Sequence, residues 1–492
     1  MYYKKYYYSI LKNFKSKSYF YKYFDTHYTY LDSYKFTLSL LHFIKKNKLK
    51  KKVILTYSNK SFEMYSSIFS ILISGNIWVP LSVNLPLEKI KNIIQQTNPD
   101  LCFYDHNNPK IINLLKKKIK CIKFKLIKPY NGYKESYILN EIKNLDIDDT
   151  AFIYFTSGST GLAKGIKVSH KNIITDVFAQ KKHLYKSKVN NLIFGDYYDT
   201  AFSIFFDIFF PAIFFGSTIV PSINKSDNYY LIDHYKKNRI NNLVAVPSTF
   251  SRIKEILLSF NKKIKGVNLI ITGEPFYLNL LDFLFKKTSF NNIFNCYGGT
   301  EMGNWVFFHK CSRSDLKKYK KYNLVPIGKP FSNVHPVVKK NELVVNGPMI
   351  SKGYMVKGSN KGKFIFSDEN TFFTGDKVEK LGNTYICLGR KDKMVKINGY
   401  RIEISDVEAN FKKLNYIKDV VVFEKKNREY NNYLVAVISL TKKRQEIEIR
   451  KNLENYLSQY MIPRKINIVK NLPKNSNGKI DRAGILKNSS YA

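Results

Sequence analysis

The stretch Phe155–Gly165 reads FTSGSTGLAKG and sets four hydroxyls, three glycines and one lysine between two apolar runs, Ala151 to Phe155 and Gly165 to Val168. This is the composition of a loop that grips a polyphosphate. Gly158, Gly161 and Gly165 allow φ > 0 and close backbone approach. Main-chain N–H groups and the hydroxyls of Thr156, Ser157, Ser159 and Thr160 can then converge on phosphate oxygens while Lys164 offsets their charge. A flexible Ser/Gly surface turn shares this composition, so the reading gains its force from what surrounds it.

The surroundings read as α/β. Short β-branched or aromatic runs alternate with longer amphipathic stretches. VILTYS from Val53 precedes Ser61 to Ser74, IWVPL at Ile77 precedes Leu87 to Gln95, and LCFYD and CIKFKLI follow. Such alternation predicts helices packed on mostly parallel sheets. From Asn341 the texture changes to ELVVNG, TYICLG and MVKING, antiparallel hairpins with Gly or Asn-Gly turns that predict a small β-barrel-like part. Beyond it, strands are expected at Val420 to Phe423, Tyr433 to Leu440 and Ile466 to Val469, with a helix near Glu446 to Gln459. The expected division is a large domain at 1–388 and a small, mobile α+β domain at 389–492.

At 492 residues, 44% apolar and 15% aromatic, the chain can bury more than one core. Its 82 basic and 38 acidic residues give a net charge of +44, which would ordinarily suggest a polyanionic partner. The charge is spread along the chain, however. Lys, Asn, Ile, Tyr and Phe are inflated together, as an AT-rich coding bias produces, and no RNP pair, zinc-finger spacing or helix-turn-helix signature accompanies the charge. No nucleic-acid partner is expected. In a chain that favours Lys so strongly, a retained Arg marks a place that needs a planar bidentate fork; Arg390, Arg401 and Arg482 all fall in motifs below. Five scattered cysteines without CxxC spacing predict free thiols in a reducing cytoplasm, with neither a disulfide framework nor a zinc site. The N-terminal MYYKKYYYSILKNFKSK has no apolar targeting core. Ala201 to Val220 is apolar for about the length of a membrane span, but it carries Asp207 and Pro211 and ends in GSTIV. It reads as a buried helix followed by a core strand, so no membrane span is expected.

Four further motifs follow the glycine-rich loop. Asn295–Glu301 (NCYGGTE) combines a ring, a tight turn, a hydroxyl and a carboxylate. A nucleotide site needs these parts: a face for the base, a donor for phosphate and a hard oxygen for Mg²⁺. Phe373–Asp376 (FTGD) offers a carboxylate able to accept both ribose hydroxyls. Gly389–Asp392 (GRKD) leads into Met394–Glu403 (MVKINGYRIE), and Asn477–Arg482 reads NGKIDR. Gly358–Lys363 (GSNKGK) has the wrong spacing for a Walker A loop.

In this order and spacing the motifs resemble the adenylate-forming, AMP-binding superfamily: adenylation domains of non-ribosomal peptide synthetases, D-alanine:carrier-protein ligases and acyl-CoA synthetases. The resemblance runs from about Leu72 to Arg482 and includes ISGNIWVPLSVNLPLEKI at Ile73, TGEPF at Thr272, NELVVNGPMISKGYM at Asn341 and LSQYMIPRKI at Leu457. It implies that Thr156, Ser157, Gly158, Ser159, Thr160, Gly161 and Lys164 close over the ATP β- and γ-phosphates. It further implies that Tyr297, beside Gly298 and Gly299, stacks on adenine, that Thr300 touches the α-phosphate, that Glu301 holds Mg²⁺, and that Asp376 and Arg390 bind ribose. Lys479 becomes the catalytic lysine, supported by Thr300 and Glu301. Carboxylate and phosphate repel each other, so a cation aimed at both meets the developing charge most directly. Asp392 matches the hinge between adenylation and thioester-forming poses, the second of which brings the Lys396 to Gly399 hairpin toward a phosphopantetheine thiol.

The implied cofactors are ATP and Mg²⁺, and the implied partners are a small carboxylic acid, in the amino-acid branch an amino acid, and a phosphopantetheinylated carrier protein or CoA. NGKIDR and VKINGYRIE resemble the carrier-protein branch, and no carrier module follows Ala492, which predicts a free-standing ligase loading a separate carrier. Amino-acid-activating members place an aspartate, in a Phe-Asp pair, against the substrate ammonium. Counting back without gaps from DIFFP at Asp207, that position is Phe202; Asp199 reaches it only through a local insertion. With Phe202 there a buried ammonium would lack its counter-ion, at a cost of several kcal/mol, which favours a hydroxy, aryl or simple acid. The expected pocket walls are Phe202, Ser203, Phe206, Ile270, Thr272, Cys296, Asn304 and Trp305, the last shortening the cavity. The alternatives are an acyl- or aryl-acid CoA ligase and a non-catalytic basic binder or decayed enzyme.

Overall fold

Val53–Tyr57, Ile77–Leu81 and Leu101–Tyr104 are almost wholly buried, as continuous apolar runs must be when both faces of a sheet are covered. The computed structural model describes residues 3–130, 132, 135–156, 163–185, 191–223, 231–259, 264–356, 358–367, 369–391, 394–426, 432–474, 480–488 and 490. Among these residues the first sheet has the order Lys120–Lys123, Leu101–Tyr104, Val53–Tyr57, Ile77–Leu81, Thr150–Thr156, Lys164–Ser169. Pairing is parallel except between the last two strands, which form the antiparallel base of the glycine-rich loop, with Thr156 opposite Lys164. The Phe62–Ile73 helix follows the first of the three runs and starts at Ser61, whose side chain accepts from the Met64 N–H.

A second sheet has parallel strands Ile193–Asp196, Asn242–Ala245, Asn268–Thr272 and Asn292–Gly299 at its centre. Asn304–Lys310 and then Lys329–Pro330 extend one side antiparallel, while Thr218–Pro221 and the Tyr19–Tyr23/Thr26–Thr29 hairpin extend the other. The apolar stretch read as a buried helix and strand is the Ile204–Phe215 helix followed by Thr218–Pro221. The N-terminal run contributes the Lys5–Asn13 helix, which buries Tyr6, Tyr7, Ile10 and Leu11. Tyr6 stacks on Phe214 at 5.4 Å and donates its hydroxyl to the Phe210 carbonyl. Among the described residues no helix is long and apolar enough to cross a membrane.

The hairpins after Asn341 form an antiparallel sheet from His335–Lys339, Glu342–Asn346, Thr371–Leu381, Thr384–Arg390 and Phe364–Ile365. The Met394–Ile397/Tyr400–Glu403 hairpin leads into a sheet of Ile417–Lys426, Asn432–Leu440 and Lys465–Val469, with its own core around Ile402, Val407, Phe411, Ile449 and Met461. The helix expected to run to Gln459 ends at Leu453. The chain turns there because Leu457 and Met461 return to this core, 1% and 0% exposed, and because Arg450 donates to the Pro463 and Arg464 carbonyls.

Candidate active site

The Asn292–Gly299 strand ends in NCYGG, turns through Thr300–Met302 and returns as Asn304–Lys310. Asn304 has φ +91° and presses its carbonyl against Gly298, where a Cβ would lie 1.6 Å from that oxygen; only glycine fits. The turn leaves Thr300 and Glu301 at the edge of a cavity of about 710 Å³ that Gly298, Gly299, Asp376 and Arg390 also border.

Glu301 is 2% exposed. Its Oε1 accepts from Arg401 Nη1 at 2.6 Å and from the Tyr354 hydroxyl at 2.7 Å. Burial alone would raise this carboxyl, but the Arg401 charge and the Tyr354 hydrogen bond outweigh it and hold the group below its ordinary range. Asp376 and Arg390 face each other across adjacent strands, with Arg390 Nη1 2.9 Å from Asp376 Oδ1. Tyr297 donates its hydroxyl to the other Asp376 oxygen. Its buried ring meets Phe307 edge-on at 5.9 Å and is not among the cavity-lining residues.

The Met394–Glu403 hairpin is docked into this cleft. Glu274 Oε1 accepts from the Gly399 N–H at 2.7 Å, and its Oε2 accepts from the Ser248 N–H at 3.0 Å. Gly399 has φ +80°, and a Cβ there would meet Val246 Cγ1 at 2.5 Å. The Tyr400 ring lies 4.8 Å from Phe202 and stacks on Tyr460 at 3.8 Å. Lys396 lines the cavity, and its burial lowers the ammonium's proton affinity despite nearby Asp376. A second contact joins the lobes where Lys89 Nζ lies 3.9 Å from Asp406 Oδ2 and 2.9 Å from Met461 Sδ.

In the acyl pocket, Phe202, Ser203, Thr272, Asn304 and Trp305 line the cavity, and Trp305 Nε1 donates to Thr272 Oγ1 at 3.0 Å. Phe206, Cys296 and Ile270 are buried behind that wall, 1%, 2% and 1% exposed. Phe202 spends its ring on Tyr400. Asp199 lines the cavity with its carboxylate accepting from Ser82, Asn84 and the Ala201 N–H. Among the lining residues that sequence reasoning missed are Tyr154 and Asp207. The signal for Asp207 was present, a lone acid in IFFDIFFPAIFF. Burial pushes its carboxyl, and that of Asp176 beside it, well above the carboxylate range.

Thr156 and Lys164 close the base of the glycine-rich loop. Lys164 Nζ sits 5.5 Å from the Tyr354 ring centroid. Gly165 does not take the positive φ expected of it. It lies in the Lys164–Ser169 strand opposite Phe155, where the missing side chain leaves room for Met355 Sδ. Ser157, Gly158, Ser159, Thr160, Gly161, Asp392 and Lys479 lie outside the described residues. His309, Cys311 and Asp315 bring donor atoms within 4.8 Å of one another. His309 Nε2 and the Ser312 N–H are both already engaged with Asp315 Oδ2, at 2.9 and 2.8 Å.

A family profile described as AMP-binding enzyme matches residues 11–355, and one described as AMP-binding enzyme C-terminal domain matches residues 406–479. The D-alanine--D-alanyl carrier protein ligase of Listeria monocytogenes serotype 4b (strain CLIP80459) is 28% identical over 465 residues, covering 89% of each chain. Bacitracin synthase 2 of Bacillus licheniformis is 27% identical over 462 residues; the match covers 89% of this chain and 17% of that protein. The fold is similar to that of the Vibrio cholerae adenylation domain AlmE, solved in complex with glycyl-adenosine-5'-phosphate, with TM-score 0.83, 18% identity and coverage of 98% of this chain and 97% of that one. The chain belongs to the AMP-binding enzyme family and is an adenylate-forming ligase.

Proposed function

We propose that this ligase activates a small carboxylic acid, an amino acid in the first instance, with ATP, and passes the acyl group to the phosphopantetheine thiol of a separate carrier protein. The observation that carries the reading is the convergence of Thr300, Glu301, Asp376 and Arg390 on one cavity whose other walls form a partly apolar acyl pocket. In the first step a carboxylate oxygen attacks the α-phosphorus and pyrophosphate leaves; in the second the thiol sulfur attacks the acyl carbon and AMP leaves. Asp376 and Arg390 would hold the ribose, and Thr300 the α-phosphate. Thr156 to Lys164 would hold the outer phosphates, and Lys479 would bridge carboxylate and phosphate. The match to the Listeria ligase, over 89% of each chain, supports a carrier protein as the acyl acceptor.

Glu301 suits Mg²⁺: it is a hard oxygen donor whose carboxylate already accepts a cation, the Arg401 guanidinium. Bound there, the metal would offset phosphate charge. The docked hairpin supports assigning this arrangement to the thiol-transfer pose, in which Arg401 occupies Glu301, with Asp392 as the hinge into the adenylating pose. The free cysteines suit a reducing cytoplasm. Exchange of labelled pyrophosphate into ATP across an acid panel tests the first step: acid-dependent exchange is the expected result, and none with any acid would overturn it.

A further inference from the structure

A buried wall of the acyl pocket holds a carboxyl without a cation. Asp207 is 2% exposed yet lines the cavity, and among the described residues no basic group is found acting on its carboxyl. Its neighbours are amides and another acid: Gln180 Nε2 donates to Oδ1 at 3.4 Å and to Asp176 Oδ2 at 2.7 Å, and the Asn304 side chain hydrogen-bonds Asp207. Asn304 is held by the unusual backbone that Gly298 accommodates, so its placement is costly and built in. Tyr154 lines the same cavity at 2% exposure, and its hydroxyl has no hydrogen-bond partner among the described residues. Of the acids around that hydroxyl, Asp207 acts on it most strongly. A buried carboxyl and an unused donor-acceptor facing one cavity are what an ammonium site presents when empty.

Position fixes which ammonium. Phe202 and Ser203 are half-buried, whereas Asp207 is buried and lies further along the Ile204–Phe215 helix, roughly 4–5 Å beyond Ile204 at 1.5 Å rise per residue. Thr300 and Gly299 border the part of the cavity where the acid's carboxylate would meet the nucleotide. An α-ammonium would stay near that carboxylate, where the aromatic Phe202 offers no counter-charge and the Asp199 carboxylate is already engaged by Ser82, Asn84 and the Ala201 N–H. We propose that the substrate is a short acid bearing its amino group at the end away from the carboxylate, with Asp207 as the ammonium's counter-ion and Tyr154 and Asn304 as its positioning partners.

This inference rests on the adenylating reading, and the test separates the two. Pyrophosphate exchange is measured for wild type, Asp207→Asn and Tyr154→Phe with three sets of acids: 3-aminopropanoate and 4-aminobutanoate; glycine and both alanines; and acetate, propanoate, butanoate and 3-hydroxypropanoate. The readout is the ratio of kcat/KM for an amino acid to that for its deamino analogue within one preparation, which partial unfolding does not change. Wild type should favour the terminal-amino acids, and Asp207→Asn should cut that ratio on the order of 10²-fold, as loss of one partner of a buried ion pair does. Tyr154→Phe should cut it about 10-fold. A ratio unchanged by Asp207→Asn, or preference for the α-amino acids, overturns the inference and leaves adenylation standing. Absence of exchange with every acid overturns the adenylating reading and the inference with it.

Discussion

Arg401→Ala should separate the two half-reactions. Arg401 comes from the small-domain hairpin, and its Nη1 reaches Glu301 Oε1 at 2.6 Å, the side chains being 22% and 2% exposed. Removing one partner of a buried pair costs about 3–5 kcal/mol. The lower end applies here, because Arg401 is partly exposed and Tyr354 still donates to Glu301. About 3 kcal/mol is roughly a 10²-fold fall in the population of the docked hairpin. The assay uses any acid that supports exchange: single-turnover transfer of preformed acyl-adenylate to a carrier thiol, set beside pyrophosphate exchange. Transfer should fall roughly 10²-fold, while exchange, which proceeds with the hairpin withdrawn, should change little. Arg401→Lys should fall between, since it keeps the charge but not the fork. The sign with pH follows from the lowered Glu301 carboxyl. Its contribution is complete above the ordinary carboxylate range and is lost as pH falls through the lowered value, so removing Arg401 should move the acidic limb of transfer to higher pH. Equal losses in both half-reactions, or no loss in either, would refute the reasoning.

Lys479→Ala should retain ATP binding by calorimetry and lose adenylate formation by about 10²- to 10³-fold; near-normal adenylate formation would count against its role. Gly298→Ala should destabilise strongly, because its Cβ would sit 1.6 Å from the Asn304 carbonyl oxygen; an unchanged Tm would contradict that packing. His170 is fully buried, which lowers its pKa to about 3. The unfolded chain therefore binds the proton first, and stability should fall as pH drops below about 6.5, by about 2 kcal/mol at pH 5. Urea unfolding of His170→Gln should show a correspondingly smaller difference between pH 7 and pH 5.

The parallel strands were legible because VILTY, IWVPL and LCFY are apolar throughout and are separated by helix-length amphipathic runs. Ile204–Phe215 was legible because Asp207 and Pro211 argue against a lipid span. Asp207's second meaning was not, since a one-dimensional reading cannot tell an acid facing a cavity from one facing a neighbour. Pocket walls transferred by counting included Phe206 and Cys296, which do not border the cavity and are buried in the core. Long-range docking escaped for the same reason. Nothing local to Phe202 announces Tyr400, nearly two hundred positions away, and nothing in the LSQYM stretch signals that Leu457 and Met461 must fold back onto the small-domain core.

Oxygen transfer tests the account most directly. With ATP and an acid labelled with ¹⁸O in its carboxylate, attack on the α-phosphorus followed by acyl transfer leaves one acid oxygen in AMP, read by mass spectrometry as a gain of about 2 Da, with unlabelled pyrophosphate. Label in inorganic phosphate, with ADP as the nucleotide product, would mean attack on the terminal phosphorus and would contradict the account.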